Sequence, residues 1–327
     1  MPATEAVPEP ETTQAALLGI YTLTSTHCGT GKAMDAVDLP IAREEHTRHP
    51  VLPSSSIKGA LRAAAERSNL PGTKAWFGPE INPGASGAKE DMYAGSVVFT
   101  DARLLAFPVR ALHTAFCWVT CPLVLERFHR DLSAFGEASL WPQKGALHPA
   151  SDKWNPKTRK AHVAGELAAL VLEDLAFSEP ELVVDKDGLK AIAAAFGALL
   201  GPSEGVLRKR LEKDLIVVDD ADFADLVTRT MPVQARIRIN ERKTTTGDGG
   251  NLWYEETLPP DTLFSTFVLG RDGAKRAGDT LTTLIAAFQG AAGAVGMFGR
   301  PVQIGGNETV GHGFCLWHVA QEVPGGR

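Results

Sequence analysis

The sequence predicts an α+β protein, in which a β-sheet carries helices on one face. Apolar and polar residues alternate between positions 233 and 240, and this period of two is typical of a strand. Apolar residues recur at helical spacing between 57 and 65 and again between 189 and 200. Because both periods occur in one chain, a mixed fold is favoured over an all-α or all-β one.

The chain begins its ordered part with a strand, a loop and a helix. The run from Leu18 to Leu23 is rich in β-branched and aromatic residues, which favours a strand. The loop that follows contains two glycines and Asp38. The serines at 54–56 are candidate N-caps of a helix that begins near Ile57, since their hydroxyls can accept bonds from unpaired backbone N–H groups.

The strands and helices after residue 67 are predicted from the same two hydrophobic periods, that of a strand and that of a helix. Short β-branched runs bounded by Gly, Pro or Asp predict strands, and apolar stripes at helical spacing predict helices. The predicted strands lie at 95–99, 104–109, 115–120, 215–218, 262–269 and 315–319, and the predicted helices at 167–175, 189–200, 220–229 (with Asp220 as N-cap) and 279–292.

The segment 233–256 predicts a β-hairpin. Its first arm has one polar, basic face that carries Arg236 and Arg238. Residues 244–250 suit a flexible turn, and the returning arm carries Trp253 and Tyr254. The hairpin therefore brings arginines on one arm next to aromatic residues on the other.

Length and composition are those of an ordinary globular protein. The chain has 327 residues, 44% of them hydrophobic and 22% charged, which is compatible with about two domains or one large domain with insertions. We interpret it as a disordered tail at 1–15, followed by a single domain at 16–327. The tail has three Glu, three Pro and no basic residue, unlike a secretory or transit peptide. With no long apolar run, we expect no membrane association and a cytoplasmic location.

The four cysteines (Cys28, Cys117, Cys121 and Cys315) are expected to be reduced core thiols. They are scattered through apolar or strand-like sequence, and no second pair stands at zinc-like spacing. Neither a disulfide framework nor a structural zinc site is predicted.

Residues 129–162 look like an insertion with little regular structure, since three prolines interrupt it. It holds Trp141, Trp154 and a basic cluster, and cations interleaved with aromatic rings suit single-stranded nucleic acid. A solvent-facing loop packed by its own tryptophans is an equal alternative. The net charge of −6 argues mildly against non-specific nucleic-acid binding but leaves a local basic groove possible. The basic cluster comprises Lys153, Lys157, Arg159 and Lys160.

Three motifs carry a resemblance that covers nearly the whole chain. The first reads Thr-His-Cys-Gly-Thr-Gly at 26–31 and Val-Asp-Leu-Pro-Ile-Ala-Arg-Glu-Glu-His-Thr at 37–47; the second is Pro-Ser-Ser-Ser-Ile-Lys-Gly-Ala-Leu-Arg at 53–62. The third is the glycine-rich end, Gly-Gly-Asn-Glu-Thr-Val-Gly-His-Gly at 305–313. Together they resemble the backbone subunits of type III-B CRISPR RNA-guided effector (Cmr) complexes, within the RAMP (repeat-associated mysterious protein) superfamily.

The resemblance implies a fold and an assembly. The fold would be a ferredoxin-like (RRM-like) palm, with the hairpin at about 233–258 as a thumb that inserts into the duplex of guide and target. Several copies would stack head to tail into a helical filament with other effector-complex subunits, on a CRISPR guide RNA that pairs with single-stranded target RNA. Thr257 departs from the family pattern, which often has an aromatic residue there.

The resemblance also implies an endoribonuclease, with Asp38 as the residue needed for cutting. Among the residues themselves, no serine-hydrolase elbow, His-Glu-x-x-His motif or dense carboxylate cluster is present. An aspartate is ionised at neutral pH and accepts a proton poorly, so Asp38 suits holding a divalent metal, expected to be Mg²⁺, or orienting the 2′-hydroxyl. His27, Tyr254 and Glu255 are candidates to assist, whereas Asp35 is expected to be dispensable.

Guide-RNA contacts are expected from three places. The start of the helix near Ile57 combines free N–H groups with cations, which favours a phosphate. Ion pairing with Glu44, Glu45 or Glu66 is the alternative for its cations and for Arg43. Glycines in the closing loop would present N–H groups to the RNA backbone. The candidate RNA-binding residues are Arg43, Ser54, Ser55, Ser56, Lys58, Arg62, Arg236, Arg238, Gly305, Gly306, Asn307, Thr309, Gly311, His312 and Gly313.

Two other functions remain open from the sequence. One is a non-catalytic scaffold for guide RNA, with the chemistry supplied elsewhere. The other is an endonuclease that matures guide RNA from its precursor, which would use a histidine as general base.

Overall fold

The computed structural model describes residues 15–31, 37–79, 93–141, 159–201, 203–239, 241, 245, 252–271, 281–290 and 296–320. Within these ranges the chain combines α-helices and β-strands throughout its length, as the mixed periodicity predicts. The helices are α1 (Ser54–Arg67), α2 (Thr73–Phe77), α3 (Pro122–Ala134), α4 (Lys186–Gly197), α5 (Gly205–Asp214), α6 (Asp220–Arg229) and α7 (Leu281–Gln289). The strands are β1 (Ala15–Thr22), β2 (Val51–Leu52), β3 (Val97–Phe99), β4 (Ala102–Ala111), β5 (Thr114–Thr120), β6 (Ala161–Val163), β7 (Leu170–Leu172), β8 (Leu175–Phe177), β9 (Leu182–Val184), β10 (Leu215–Val218), β11 (Val233–Ile237), β12 (Leu252–Glu256), β13 (Leu263–Gly270), β14 (Val302–Gln303) and β15 (Phe314–Val319).

Thirteen of these strands form one mixed sheet. Its main path runs β14-β15-β1-β13-β4-β5-β10-β6-β9, with β2, β3, β7 and β8 attached beside it. Most neighbours are antiparallel, and β10 with β5 and β6 with β9 are the parallel pairs. Strand β1 lies between β13 and β15, and all eight of its residues are buried. That burial on both faces explains why its sequence is apolar almost throughout.

Helices cover this sheet through apolar stripes. In α1 the buried residues are Ile57, Leu61, Ala64 and Ala65, the spacing that the sequence predicts. The end of α4 reaches β1, where a Cβ on Gly19 would stand only 2.1 Å from the carbonyl oxygen of Leu199. Glycine at position 19 is therefore required by this close approach.

Strands β11 and β12 form the predicted hairpin as a separate two-stranded sheet, with Ala235 opposite Tyr254 and Ile237 opposite Leu252. The structure shows which way the two faces of this hairpin point. Side chains of the alternating apolar face are exposed, including Ile237 at 55% and Leu252 at 52%, whereas Gln234 and Arg236 are half-buried toward the body of the protein. Within β11 the face that carries Arg236 is thus the inner one, whereas Arg238, beyond the strand, is exposed.

Two helix predictions are wrong in detail. Residues 167–175 contain no helix; β7 and β8 form a short hairpin there, with Glu173 at φ 53° in its turn. The serines at 54–56 lie inside the first turn of α1, and the N-cap position is Pro53, which has no side-chain acceptor. Asp101 performs the capping instead, because its carboxylate accepts the Ser54 N–H at 2.7 Å.

Other boundaries shift slightly. The N-cap of α6 is Asp219, one residue before the predicted Asp220. Residues 129–134 belong to α3, so the insertion begins later than expected.

Within the insertion, Trp141 is buried against Phe128. Arg159 forms an ion pair with Asp222 at 2.8 Å, so its guanidinium is already engaged within the protein. Residues 1–14, 142–158 and most of the hairpin tip lie outside the described residues, so the tail and the cations 153 and 157 stay predictions.

All four cysteines are free and buried, as expected. Burial raises the pKa of the Cys117 and Cys315 thiols to about 12. Among the described helices, none has the length and apolar character that a membrane crossing would need.

The folded state should lose stability as the pH falls from 6.5 to 5, in part because of His49. This ring is buried edge-on against Phe223, and burial lowers its pKa to about 4. The unfolded chain therefore binds a proton that the folded chain excludes, which removes about 1.4 kcal/mol of unfolding free energy per pH unit below 6.5. Denaturant unfolding at pH 7, 6 and 5 measures this slope.

His49→Gln is the control, since it removes the titration while keeping a polar side chain. Its stability should fall about 2 kcal/mol less than that of the unmodified protein between pH 6.5 and 5. The range stops at pH 5 because Glu44 contributes to the pH dependence at lower pH. Burial raises the pKa of Glu44, but hydrogen bonds from Arg127 and Thr47 outweigh this effect and hold that pKa at about 2. Equal slopes for the two proteins would contradict the assignment.

Candidate functional site

The loop that carries Asp38 lies along the returning strand of the hairpin. The Leu39 N–H donates to the Tyr254 carbonyl at 3.1 Å, and the Leu39 carbonyl accepts the Glu256 N–H at 2.9 Å. The loop thus adds a short parallel segment beside β12, with Leu39 paired to Glu255. Backbone hydrogen bonds place Asp38 next to the hairpin, which the sequence order alone does not show.

Asp38 is exposed, and one of its carboxylate oxygens is anchored. Its Oδ2 accepts the Tyr254 N–H at 2.8 Å, which orients the carboxylate. No other hydrogen bond to this side chain occurs among the described residues, so Oδ1 has no partner among them. An oriented carboxylate with one open oxygen can bind a cation or a hydroxyl group.

Glu255 and His27 are more buried than Asp38. The Glu255 side chain is 3% exposed; it accepts a bond from the Asn307 amide and pairs with Arg236 at 3.2 Å. His27 Nδ1 stands 2.8 Å from the Glu256 carbonyl oxygen and therefore carries the proton of that bond. Its side chain is 12% exposed and lies 3.7 Å from Glu255 Oε1. Of the four catalytic candidates, Asp38 and Tyr254 are exposed, while His27 and Glu255 support them from below.

The glycine-rich loop at 305–313 packs against His27. Gly305 has φ +85°, and a Cβ there would stand 2.1 Å from the His27 carbonyl oxygen. The Gly306 N–H donates to that carbonyl at 2.8 Å. His312 Nε2 lies 3.4 Å from the Arg236 guanidinium, and burial and then Arg236 lower the pKa of His312. A neutral ring is thereby favoured as the acceptor of this contact.

Part of the expected anion nest is already occupied by backbone hydrogen bonds. The N–H groups of Gly306, Gly311 and Gly313 already donate to the carbonyls of His27, Glu308 and Ser25. They are not free for a phosphate. The loop remains exposed at Asn307 and Thr309, so contact with an RNA strand would be made by the outer surface of the loop.

The start of α1 comes close to the His27 loop at Cys28, where burial raises the pKa of the thiol and the Ser56 hydroxyl partly opposes that effect. Ser54, Ser55 and Lys58 line a cleft of about 720 Å³ together with Arg271, a cation that the sequence analysis missed. Arg271 follows a predicted strand, and only the fold shows that it shares a cleft with α1. Arg62 pairs with Glu66 at 2.8 Å, the alternative left open for it.

Arg43 is oriented inward. Its guanidinium is 7% exposed and pairs with Glu256 at 2.7 Å. It also donates to the Arg48 and Val227 carbonyls. These bonds direct the side chain into the protein, which favours the ion-pairing alternative for Arg43, with Glu256 as the partner instead of Glu44, Glu45 or Glu66. Arg238, in contrast, is exposed.

The first and third motifs, far apart in sequence, thus meet the hairpin around Asp38. A family model described as the RAMP superfamily matches residues 20–315 of the chain. The chain belongs to the RAMP superfamily.

Relatives of known identity extend this assignment. A Pyrococcus furiosus protein called CRISPR system Cmr endoribonuclease Cmr4 is 35% identical over 314 residues, which span 92% of this chain and 94% of that one. The crystal structure of oligomeric Cmr4 from Pyrococcus furiosus superimposes with a TM-score of 0.64 and 28% identity over 93% of this chain and 96% of that one. A type III-B Cmr-beta complex bound to cognate target RNA contains a chain with TM-score 0.67 and 20% identity, over 95% and 99% of the two chains, which shows a shared fold.

Proposed function

We propose that this RAMP protein is a guide-RNA-binding backbone subunit of a type III-B effector complex and cuts guide-paired target RNA at Asp38. The observation that carries the proposal is the placement of Asp38: an exposed carboxylate, anchored by the Tyr254 N–H, where the first and third RAMP motifs meet the hairpin. Its relative at 35% identity is named an endoribonuclease. The central sheet would be the ferredoxin-like palm and β11–β12 the thumb.

The reaction needs little from the protein beyond geometry. In-line attack on a phosphodiester by the neighbouring 2′-hydroxyl requires a bent RNA backbone, and positioning of that kind can lower the barrier substantially. Asp38 Oδ1 is free to accept a hydrogen bond from the 2′-hydroxyl and so orient it. Glu255, His27 and Asn307 hold the hairpin and the closing loop around it. Base specificity would come from pairing with the guide rather than from this chain.

Asp38 would also hold a divalent cation, expected to be Mg²⁺. Among the described residues no group of three or more Asp, Glu, His or Cys side chains could bind a metal by itself. One exposed carboxylate fits the way proteins commonly bind Mg²⁺, through one or two carboxylates with waters and substrate phosphates completing the shell. Such an ion would neutralise charge on the scissile phosphate.

The direct test is to purify the protein co-expressed with a CRISPR guide RNA and the other complex subunits. We expect bound guide RNA and Mg²⁺-dependent cutting of complementary RNA at regular intervals. Guide RNA without cutting would favour the non-catalytic scaffold. Cutting of precursor guide RNA by the subunit alone would favour the processing endonuclease. Absence of bound RNA would refute the proposal.

Self-assembly is expected through the exposed apolar face of the hairpin. Val233, Ile237 and Leu252 are about half exposed and belong to one face of a two-stranded sheet. Exposed apolar surface of this kind marks an interface, and the structural relative is oligomeric. In the filament this face would be covered by the next copy and its RNA.

Ile237→Asp with Leu252→Asp should therefore reduce assembly on guide RNA by at least about 100-fold, since each buried apolar side chain contributes about 1.5–3 kcal/mol. Light scattering of the protein titrated with guide RNA measures the loss. Val206→Asp is the matched control, because Val206 is 85% exposed on α5, and it should assemble normally. Normal filaments from the double variant would show that this face is not an interface.

A further inference from the structure

The loop that presents Asp38 is attached to the hairpin by a second, buried connection. Glu256, at the base of β12, is 8% exposed, although a carboxylate is rarely buried without partners. Its Oε2 accepts the Ile41 N–H at 3.0 Å, and its Oε1 accepts a bond from Arg43 at 2.7 Å. The Glu256 side chain therefore connects Ile41, at the far end of the Asp38 loop, to the Arg43 guanidinium.

Arg43 continues this connection into the body of the protein. Its second nitrogen donates to the Val227 carbonyl in α6 at 3.2 Å and to the Arg48 carbonyl at 2.9 Å. One guanidinium thus joins the hairpin base, α6 and the loop. A planar fork with several fixed donors makes this possible, whereas a lysine offers one charged point.

From these contacts we infer that Glu256 and Arg43 are positioning residues for Asp38. The loop is held at both ends: Tyr254 and Glu256 backbone groups hold Asp38 and Leu39, and the Glu256 side chain holds Ile41. Pro40, between them, has no N–H and a restricted φ, so the intervening backbone has little freedom. Any movement of the hairpin on binding RNA is then transmitted to the Asp38 carboxylate.

The inference rests on the proposed function and makes a separate prediction. Glu256→Gln keeps the shape but removes the charge, and Arg43→Met leaves the carboxylate without its cation. Each should lower the single-turnover rate of target cleavage about 10–100-fold, since displacement of a reacting group by about 1 Å can cost that much. Affinity for guide and target RNA should stay within about twofold, because neither side chain reaches the surface. The double variant should be no worse than the poorer single one.

Arg43→Lys tests the geometry of the fork. It retains the charge beside Glu256 but cannot make all of the guanidinium contacts, so an intermediate rate is expected. Asp214→Asn is the matched control for loss of a buried charge, because Asp214 is 6% exposed and pairs with Arg210 at 3.4 Å on helix α5. That variant should cut at the unmodified rate.

Amide hydrogen exchange of the full-length protein supplies a readout independent of cleavage. The amides of Leu39 and Ile41 should be protected, and in Glu256→Gln the Ile41 amide should exchange at least about tenfold faster, with no change in Asp214→Asn. Unchanged exchange of Ile41, or cleavage within about twofold in both single variants, would overturn the inference. If Asp38→Ala itself cut normally, the proposed function would fail, and the exchange data would still decide whether the connection exists.

Discussion

Substitution of Asp38 by alanine is expected to reduce target-RNA cleavage by at least about 10³-fold while leaving RNA binding within about twofold. Asp38 is an exposed carboxylate that the hairpin backbone holds through one oxygen, and removing it takes away the group that would orient the 2′-hydroxyl or bind the metal. Binding should persist because phosphate contacts come from other cations. Single-turnover cleavage and filter binding on the assembled complex measure the two effects separately.

Two comparisons make this result specific. Asp38→Asn retains the bond from the Tyr254 N–H, so it should match the alanine variant in rate while keeping the loop ordered. Asp35→Ala removes a carboxylate three positions earlier in the chain, outside the described residues, and is expected to cut within about twofold of the unmodified protein. Cleavage at the normal rate by either Asp38 variant would remove this residue from the mechanism.

A target RNA with a single 2′-deoxy nucleotide at the cut position is expected to resist cleavage there entirely. The attacking group in the proposed reaction is the 2′-hydroxyl of that nucleotide, and deoxy substitution removes it without changing base pairing. Cuts at neighbouring positions along the same RNA should continue, because each copy of the subunit would act on its own site. Denaturing gel electrophoresis of end-labelled target shows each position individually.

The same substrate separates two chemistries. If the deoxy position is still cut, water is the nucleophile, and Asp38 would then act on that water or on a bound metal ion. A deoxy substitution one nucleotide away serves as the control, since it should slow the reaction at the normal position only slightly. The ends of the fragments provide a second check, because attack by the 2′-hydroxyl leaves a 2′,3′-cyclic phosphate.

Local signals in the sequence were sufficient for most individual elements. The stripe of Ile57, Leu61 and Ala65 and the alternation in 233–237 each report contacts within one helix or strand, and both predictions are confirmed. The failure at 167–175 has a physical cause. Two three-residue strands around a turn at Glu173 place leucines at spacings that a helix would also give.

The sequence by itself determined which residues are candidates for the chemistry: Asp38 in its motif, the closing loop and the hairpin strands. Only the tertiary structure decided which of them face outward. Arg43 is directed inward by Glu256, a partner 213 positions away, and the hairpin exposes its apolar side because Arg236 pairs inward with Glu255. Orientation of this kind depends on contacts between distant segments, and no local period records them, since a buried charge is stable only where the fold supplies its partner.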